Sequence, residues 1–167
     1  MRRVAGTRQD QGRRRSSARD RSVQAGAGDG AIPLDRILHI AEFRAGLRTF
    51  LRESERVARR NGLTPQWYQL LLAIKGAPDR SQRLRFTDIA SRLQLSRNTV
   101  TELVARAEAA GLVAREPSAS DQRVVYLRLT DEGDRRLCRV LVESDENRRE
   151  LASAFETVAD AFRQSIV

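Results

Sequence analysis

The sequence FTDIASRLQLSRNTVTELVARAEAAGLVAREPSASDQRVVYLRLTDEG, residues 86–133, changes its apolar period from that of helices to that of a strand. In its first half, apolar residues recur three and four positions apart, at Ile89, Ala90 and Leu93 and again at Val100, Leu103, Val104 and Ala107. Such spacing places them on one face of each of two short helices. Further on, every second residue is a branched apolar one, at Val125, Leu127 and Leu129. This alternation is typical of a strand with one buried face.

The ends of these elements carry capping signals. Thr87 is predicted to cap the first short helix and Ser96 the second, since a hydroxyl at that position accepts a hydrogen bond from the first turn. Gly111 predicts a Schellman ending for the second helix. We expect residues 112–115 to pair with the alternating strand across a polar tip at 117–121. The stretch therefore predicts helix, tight turn, helix and a two-stranded ribbon.

Helical patterns also precede this stretch. Residues 34–61 keep an apolar spacing near 3.6 until Gly62, a residue that ends helices. Thr64 followed by proline is then the N-terminal signal of a second helix, which ends near Gly76. A loop is expected over residues 77–83.

Downstream of the ribbon the pattern becomes helical again. Thr130 is predicted to cap a fifth helix, because two acids follow it where the helix dipole favours negative charge. An amphipathic terminal helix follows, with its apolar stripe at Leu151, Phe155, Val158, Phe162 and Ile166. The predicted fold is mainly α with a small antiparallel β-wing: a winged helix-turn-helix at about 63–130, flanked by helices at 34–61 and about 131–166.

Charge and composition restrict the classes of function. The 167 residues carry 31 Lys and Arg against 22 Asp and Glu, a formal net charge of +9, so an anionic partner is expected. Residues 1–30 hold eight Arg, three Asp and few large apolar groups, which predicts a disordered basic arm. One cysteine excludes an internal disulfide, and Cys138 with His39 cannot supply the four ligands of a structural zinc site. No metal or cofactor is therefore expected.

Several classes of protein lack support in the sequence. No apolar run is long enough for a secretory signal or a membrane span, so we expect a cytoplasmic protein. No G-x-S-x-G turn, P-loop or dinucleotide fingerprint occurs, and His39 is the only histidine available as a base. An enzyme is therefore not expected.

The first turn of the second short helix carries polar residues suited to reading bases. They are Ser96, Arg97, Asn98, Thr99, Thr101 and Glu102. A helix fits the major groove of DNA, and its first residues reach the base edges. There Arg97 can form a fork on guanine and Asn98 a bidentate pair with adenine, while the hydroxyls meet phosphates, base edges or a thymine methyl. A solvated helix surface is the alternative, and the wing and the net charge favour DNA.

Residues 63–133 resemble the winged-helix transcription factors of the multiple-antibiotic-resistance regulator (MarR) family. The matching stretches are LTPQWYQLLLAI at 63–74 and the segment quoted above. The most specific piece is the D-x-R pattern of Asp121, Gln122 and Arg123, followed by a strand and the motif LTDEG. The resemblance implies that Arg123 enters the minor groove at the wing tip and that Asp121 holds its guanidinium. The alternative for this pair is a surface ion pair of little energetic value.

The resemblance also implies a homodimer and an effector. The helices at 34–61 and about 131–166 occupy the positions of the family's dimerisation elements. A two-fold dimer would place its recognition helices about 34 Å apart on a near-palindromic operator. Many relatives lose DNA affinity when a small, often aromatic or anionic, ligand enters a cleft bounded by the first, second and fifth helices. The candidates for lining this cleft are His39, Phe43, Trp67 and Tyr68, although aromatic residues at helical spacing also suit a core.

Cys138 raises the question of a thiol switch. Relatives that sense peroxides carry their reactive cysteine in the first helix, whereas Cys138 is predicted on the fifth. A buried and inert thiol is therefore the expectation.

These features together predict a sequence-specific DNA-binding transcriptional regulator, a repressor that binds a pseudo-palindromic operator as a homodimer and is released by a small molecule. The alternative is an architectural or nonspecific nucleic-acid-binding protein without ligand control, which the basic arm and wing would serve equally well.

Overall fold

The computed structural model describes residues 32–121 and 123–164, without the side chains of residues 161, 162 and 164. The described chain forms, in order, α1 (Leu34–Arg60), α2 (Pro65–Lys75), β1 (Arg83–Arg85), α3 (Phe86–Leu93), α4 (Arg97–Ala109), β2 (Val113–Pro117), β3 (Val125–Leu129), α5 (Asp131–Glu143) and α6 (Asp145–Gln164). The predicted arm over residues 1–30, the side chain of Phe162 and the stripe position Ile166 lie outside what is described. Within the described ranges, no helix is both long and apolar enough to cross a membrane.

The three strands form one antiparallel sheet in the order β1-β3-β2. The expected ribbon of β2 and β3 is confirmed, with Val113 opposite Leu129. The sheet has a third strand, β1, whose Leu84 lies opposite Leu127 and is buried with it. The sequence analysis missed this third strand because β1 has only three residues, too few to show an alternating pattern of their own.

The hydrophobic core lies between α2, α3, α4 and the inner face of the sheet, and the end of α1 and the inner face of α5 complete it. Its largest fully buried side chains are Leu63, Leu70, Leu71, Ile74, Ile89, Leu103, Leu112, Leu127 and Leu137. The positions that the helical period of α4 assigned to the interior, Val100, Leu103, Val104 and Ala107, are all buried. This burial fixes which face of α4 is left for solvent or a partner.

The structure contains the capping hydrogen bonds that were predicted at two helix ends. Gly111 has a φ of +70°, and the Leu112 N–H behind it donates to the Ala107 carbonyl at 2.9 Å, as in a Schellman ending. At the start of α2, the hydroxyl of Thr64 accepts the Trp67 N–H at 3.1 Å. These caps are local devices, and the sequence predicted both correctly.

The predicted cap of α3 was wrong. The residue before this helix is Arg85, which makes no side-chain capping bond, and Thr87 lies one residue inside the helix. The reason is β1, which holds Arg85 extended against Tyr126 and leads directly into Phe86. Strand pairing therefore sets the start of α3, and a capping hydroxyl does not.

The C-terminal helical region is divided at Ser144, a buried residue between α5 and α6. α6 packs along α1, where the rings of Phe43 and Phe155 meet edge to face with centroids 4.5 Å apart. On α5, Cys138 is exposed. The expectation of a buried thiol was wrong, because Leu137 and Val140 are the α5 residues that face the core and Cys138 falls on the opposite side of that helix.

The cap of α5 connects this helix to the end of α4. The hydroxyl of Thr130 accepts the Gly133 N–H at 3.1 Å and donates to the Gly111 carbonyl at 2.6 Å. The Thr130 N–H donates to the Leu112 carbonyl at 3.1 Å. A single threonine thus joins α4, the start of β2 and α5.

Candidate nucleic-acid interface

The N-terminal turn of α4 is closed by its own hydroxyl groups. Ser96 is the cap: its Oγ accepts the Thr99 N–H at 3.2 Å and lies 2.9 Å from the Thr99 hydroxyl. The Thr101 hydroxyl donates to the Arg97 carbonyl at 2.9 Å. The Ser96 and Thr101 hydroxyls therefore bond the backbone of the helix start, and the Thr99 hydroxyl bonds that of Ser96.

The remaining polar residues of this turn point to solvent. Arg97, Asn98, Thr101 and Glu102 are exposed, and Thr99 is half-buried. Within the described chain, the guanidinium of Arg97 and the amide of Asn98 make no hydrogen bond or ion pair. These two side chains are therefore free to bond an external group, at a helix terminus that carries partial positive charge.

The turn between α3 and α4 holds the two helices at a defined angle. Gln94 ends α3 in the left-handed conformation with a φ of +54°, and the Leu95 N–H donates to the Ala90 carbonyl at 3.0 Å. Ser96 follows at once and begins α4. With only these few residues in the connection, α4 is presented to solvent by its first turn while its inner face stays in the core.

The tip of the wing is shaped by Asp121 in a way that differs from the expectation. Its carboxylate accepts the backbone N–H of Arg123 at 2.9 Å, and its carbonyl accepts the Val124 N–H at 2.9 Å. It forms no ion pair with the Arg123 guanidinium in the described chain. Asp121 therefore holds the backbone of the turn, as aspartate commonly does two residues before an N–H. The side chain of Arg123 is left exposed, and Gln122 is outside the described residues.

An exposed arginine that the sequence analysis missed, Arg115, connects the wing to α4. The Nε of Arg115 donates to both carboxylate oxygens of Glu108 at 3.0 Å, and its guanidinium lies 5.2 Å from the ring centroid of Phe86. The bond to Glu108 raises the pKa of Arg115. Arg115 lies opposite Leu127 on the inner face of the ribbon, so a charged residue at an inward strand position was the signal that could have revealed it.

The four candidates for an effector site are distributed over two regions. His39 is half-buried and its Nδ1 lies 2.6 Å from the Asp35 carbonyl, while Phe43 packs on α6. Trp67 and Tyr68 pack against the core from α2. Burial raises the pKa of the Tyr68 phenol, and the positive charge of Arg148 acts in the opposite direction.

Two clefts of the described chain are lined by other residues. One of about 510 Å³ lies between the end of α2, the outer face of the sheet and the start of α5, and includes Lys75, Arg83 and Asp131. The other, of about 390 Å³, lies between α1 and α6 and includes Phe50 and Leu151. None of the four candidates lines either cleft, so their role in binding an effector stays a prediction.

Known proteins are similar to this chain in sequence. The sequence model of the MarR family matches residues 61–124 of this chain. PecS, an HTH-type transcriptional regulator of Dickeya dadantii, is 31% identical over 106 residues, which are 62% of this chain and 62% of PecS. The homoprotocatechuate degradative operon repressor of Escherichia coli is 29% identical over 99 residues, 59% of this chain and 64% of that protein. This chain thus spans about three fifths of the length of each of these two relatives.

The fold is also similar to that of solved structures. Sco3205, a MarR family transcriptional regulator from Streptomyces coelicolor whose crystal structure is a complex with DNA, superposes with a TM-score of 0.59 at 23% identity over 84% of this chain and 91% of its own. The family match covers α2, the helix pair α3 and α4, and the wing as far as its tip. Over residues 61–124, which hold this winged helix-turn-helix, the chain is similar to the MarR family.

Proposed function

We propose that this protein is a sequence-specific DNA-binding transcriptional regulator, a repressor that binds a pseudo-palindromic operator as a homodimer. The observation that carries the proposal is the pair of exposed and unbonded side chains, Arg97 and Asn98, on a capped helix start, together with the exposed Arg123 of the wing. These are the side chains that read guanine and adenine edges and enter narrow minor grooves. The names of PecS and of the E. coli repressor, and the DNA in the Sco3205 crystals, support the same function.

Two further parts of the proposal follow from the function and the family. A regulator of this kind acts where the DNA is, and we place it in the cytoplasm. Release from DNA by a small aromatic or anionic effector belongs to the proposal through the family resemblance, and His39, Phe43, Trp67 and Tyr68 remain its predicted contacts. The proposal includes no enzymatic activity.

The decisive experiment is selection of bound fragments from random-sequence DNA at physiological salt by the full chain. A dimeric regulator should recover a near-palindrome with half-sites about 10 bp apart, because its recognition helices are separated by about one turn of DNA. Recovery of fragments without a shared motif would favour the second candidate, an architectural DNA-binding protein. The net charge of +9 is the observation that supports that candidate.

The apolar surface of α1 and α6 supports the dimer. Leu34, Ile37 and Leu38 on α1 are 47 to 68% exposed, and Phe155 on α6 is 49% exposed. Apolar side chains clustered at this density are unusual on the surface of a monomer. A second copy, related by a two-fold axis, would cover the same surface on both chains.

We expect the full chain to sediment as a dimer at micromolar concentration, and Leu38→Glu to shift it towards monomer because a carboxylate would be buried in the interface. Leu72→Glu is the matched control, since Leu72 is 39% exposed but lies on α2. Sedimentation velocity at several concentrations would measure both variants. A monomer at every concentration for the unaltered chain would refute the dimer.

Arg123→Ala is expected to lower the slope of log K against log salt concentration by about one unit for each copy, because one phosphate-directed charge is lost from the wing tip. Arg163→Ala removes another exposed arginine, on α6, and should leave the slope unchanged. Fluorescence anisotropy titrations at four salt concentrations would supply the slopes. An unchanged slope for Arg123→Ala would show that the wing does not reach DNA.

A further inference from the structure

Three arginines and one tyrosine lie on the outer face of the three-stranded sheet. Arg83 lies opposite Arg128 and Arg85 opposite Tyr126, and residues directly opposite each other on neighbouring strands share a face. Glu116 of β2 also lies opposite Tyr126 and so belongs to this face. We call these five residues the basic sheet face. They form a surface distinct from the first turn of α4.

The basic sheet face is open to solvent and carries an excess of positive charge. The side chains of Arg83, Arg128 and Glu116 are 40, 54 and 37% exposed, and Arg85 is an exposed residue. Three arginines face one carboxylate, which lies 2.8 Å from Arg83 and 3.5 Å from Arg128. The basic sheet face therefore carries two more positive than negative charges. Such a surface attracts an anionic partner.

The tyrosine holds two of the guanidinium groups in place. Those of Arg83 and Arg85 lie 4.4 and 5.6 Å from the centre of the Tyr126 ring, within the range of cation–π contacts. Arg85 also donates to the Tyr126 hydroxyl at 3.3 Å. A guanidinium held on an aromatic ring loses less conformational freedom on binding, and its remaining N–H groups stay available.

Arg85 directly precedes α3 and lies within electrostatic reach of the wing tip. The bond to Tyr126 is the main cause that raises the pKa of Arg85, and the charges of Asp88 and Asp121 contribute in the same direction. Asp88 is in the first turn of α3, and Asp121 is at the wing tip. The basic sheet face is therefore continuous with the wing that carries Arg123.

We propose that the basic sheet face binds the phosphate backbone of the same DNA duplex, next to the groove that the wing enters. This inference rests on the proposed function and adds to it a second, sequence-independent contact surface centred on Arg85. Contacts of this kind position a protein on DNA and do not read its bases. They release counterions, so their loss changes the salt dependence of binding equally on every sequence.

Arg85→Gln is the most informative substitution. Arg83 and Arg128 both hold Glu116, and removal of either would leave that carboxylate with less compensation, whereas Arg85 bonds only the Tyr126 hydroxyl in the described chain. Arg85→Lys keeps the charge and serves as the conservative variant. Arg149→Gln on α6, where the side chain is 71% exposed, is the control for a charge lost elsewhere.

The probes are the duplex that the full chain selects from random DNA and a scrambled duplex of equal length and composition. Arg85→Gln should lower the salt slope on both by about 1.8 units for the two copies, since each lost phosphate contact accounts for about 0.9. Arg85→Lys and Arg149→Gln should retain the slope of the unaltered chain. An unchanged slope for Arg85→Gln, or a loss confined to the selected duplex, would overturn the inference.

Failure of the proposed function has a different signature. The unaltered chain would then bind the selected and scrambled duplexes equally, while the slope of Arg85→Gln would still report whether this face contacts phosphates. The melting temperature of each variant should be measured beside the titrations to check that it is folded. Replacement of an exposed arginine on a sheet surface should change that temperature little.

Discussion

Gly133→Ala is expected to lower the free energy of unfolding by about 1 to 3 kcal/mol, the usual cost of forcing extra volume into a packed site. A Cβ at this position would lie 2.1 Å from the Leu112 carbonyl oxygen and 3.0 Å from its carbonyl carbon. The atoms that this Cβ would meet belong to the backbone of Leu112, which cannot rotate away as a side chain could. Since the same carbonyl accepts the Thr130 N–H, its displacement would also weaken the joint between β2 and α5.

Gly46→Ala is the matched control for this substitution. Gly46 lies inside α1, and a Cβ there would have no atom within 4 Å. Alanine is favoured over glycine in a helix by about 0.5 to 1 kcal/mol, so this variant should be more stable than the unaltered chain. Thermal unfolding should be compared at one protein concentration, because the stability of a dimer depends on it. Equal melting temperatures for Gly133→Ala and the unaltered chain would contradict the close approach.

Asn98→Ala is expected to weaken binding to the selected operator by about 1 to 3 kcal/mol per half-site, roughly 5- to 150-fold, and to relax the preference at one base position. A bidentate amide recognises adenine because it donates and accepts at once, and alanine can do neither. The helix itself should remain intact, because the Asn98 amide has no bonding partner in the described chain and Ser96 provides the cap.

The scrambled duplex separates reading from simple attraction. Affinity for it should change little in Asn98→Ala, since a neutral amide contributes nothing to counterion release. Competition titrations of both duplexes against the same labelled operator would give the two affinities. Equal losses on the two sequences would mean that Asn98 does not read a base, and would support the architectural alternative.

These two predictions rest on different kinds of information. The predicted role of Asn98 follows from local sequence: an apolar period that buries Val100 and Leu103, and a serine that caps the turn. Such signals act within one helix, which is why the sequence predicted the exposed turn of α4. The role of Gly133 depends on the carbonyl of Leu112, which approaches it only when α5 packs beside the start of β2.

The wing shows the same division. Its strands and polar tip were predictable from alternation, and the arginine at the tip from a family pattern. The function of Asp121 was not, because a carboxylate two residues from an arginine can bond either the guanidinium or the backbone. The conformation of the turn decides between them, and here it brings the Arg123 N–H within 2.9 Å of the carboxylate.

The sequence alone determined the helices, the caps of α2, α4 and α5, the alternating strand, the inward face of α4 and the positive charge, because periodicity, capping and net charge are properties of near neighbours and of composition. Only the tertiary structure decided that Arg83–Arg85 is a strand, that Arg115 holds Glu108 and that Arg83 and Arg85 both lie against the Tyr126 ring. Each of these depends on residues distant in the chain: Arg83 pairs with Arg128, and a segment of three residues acquires its structure from the strand beside it.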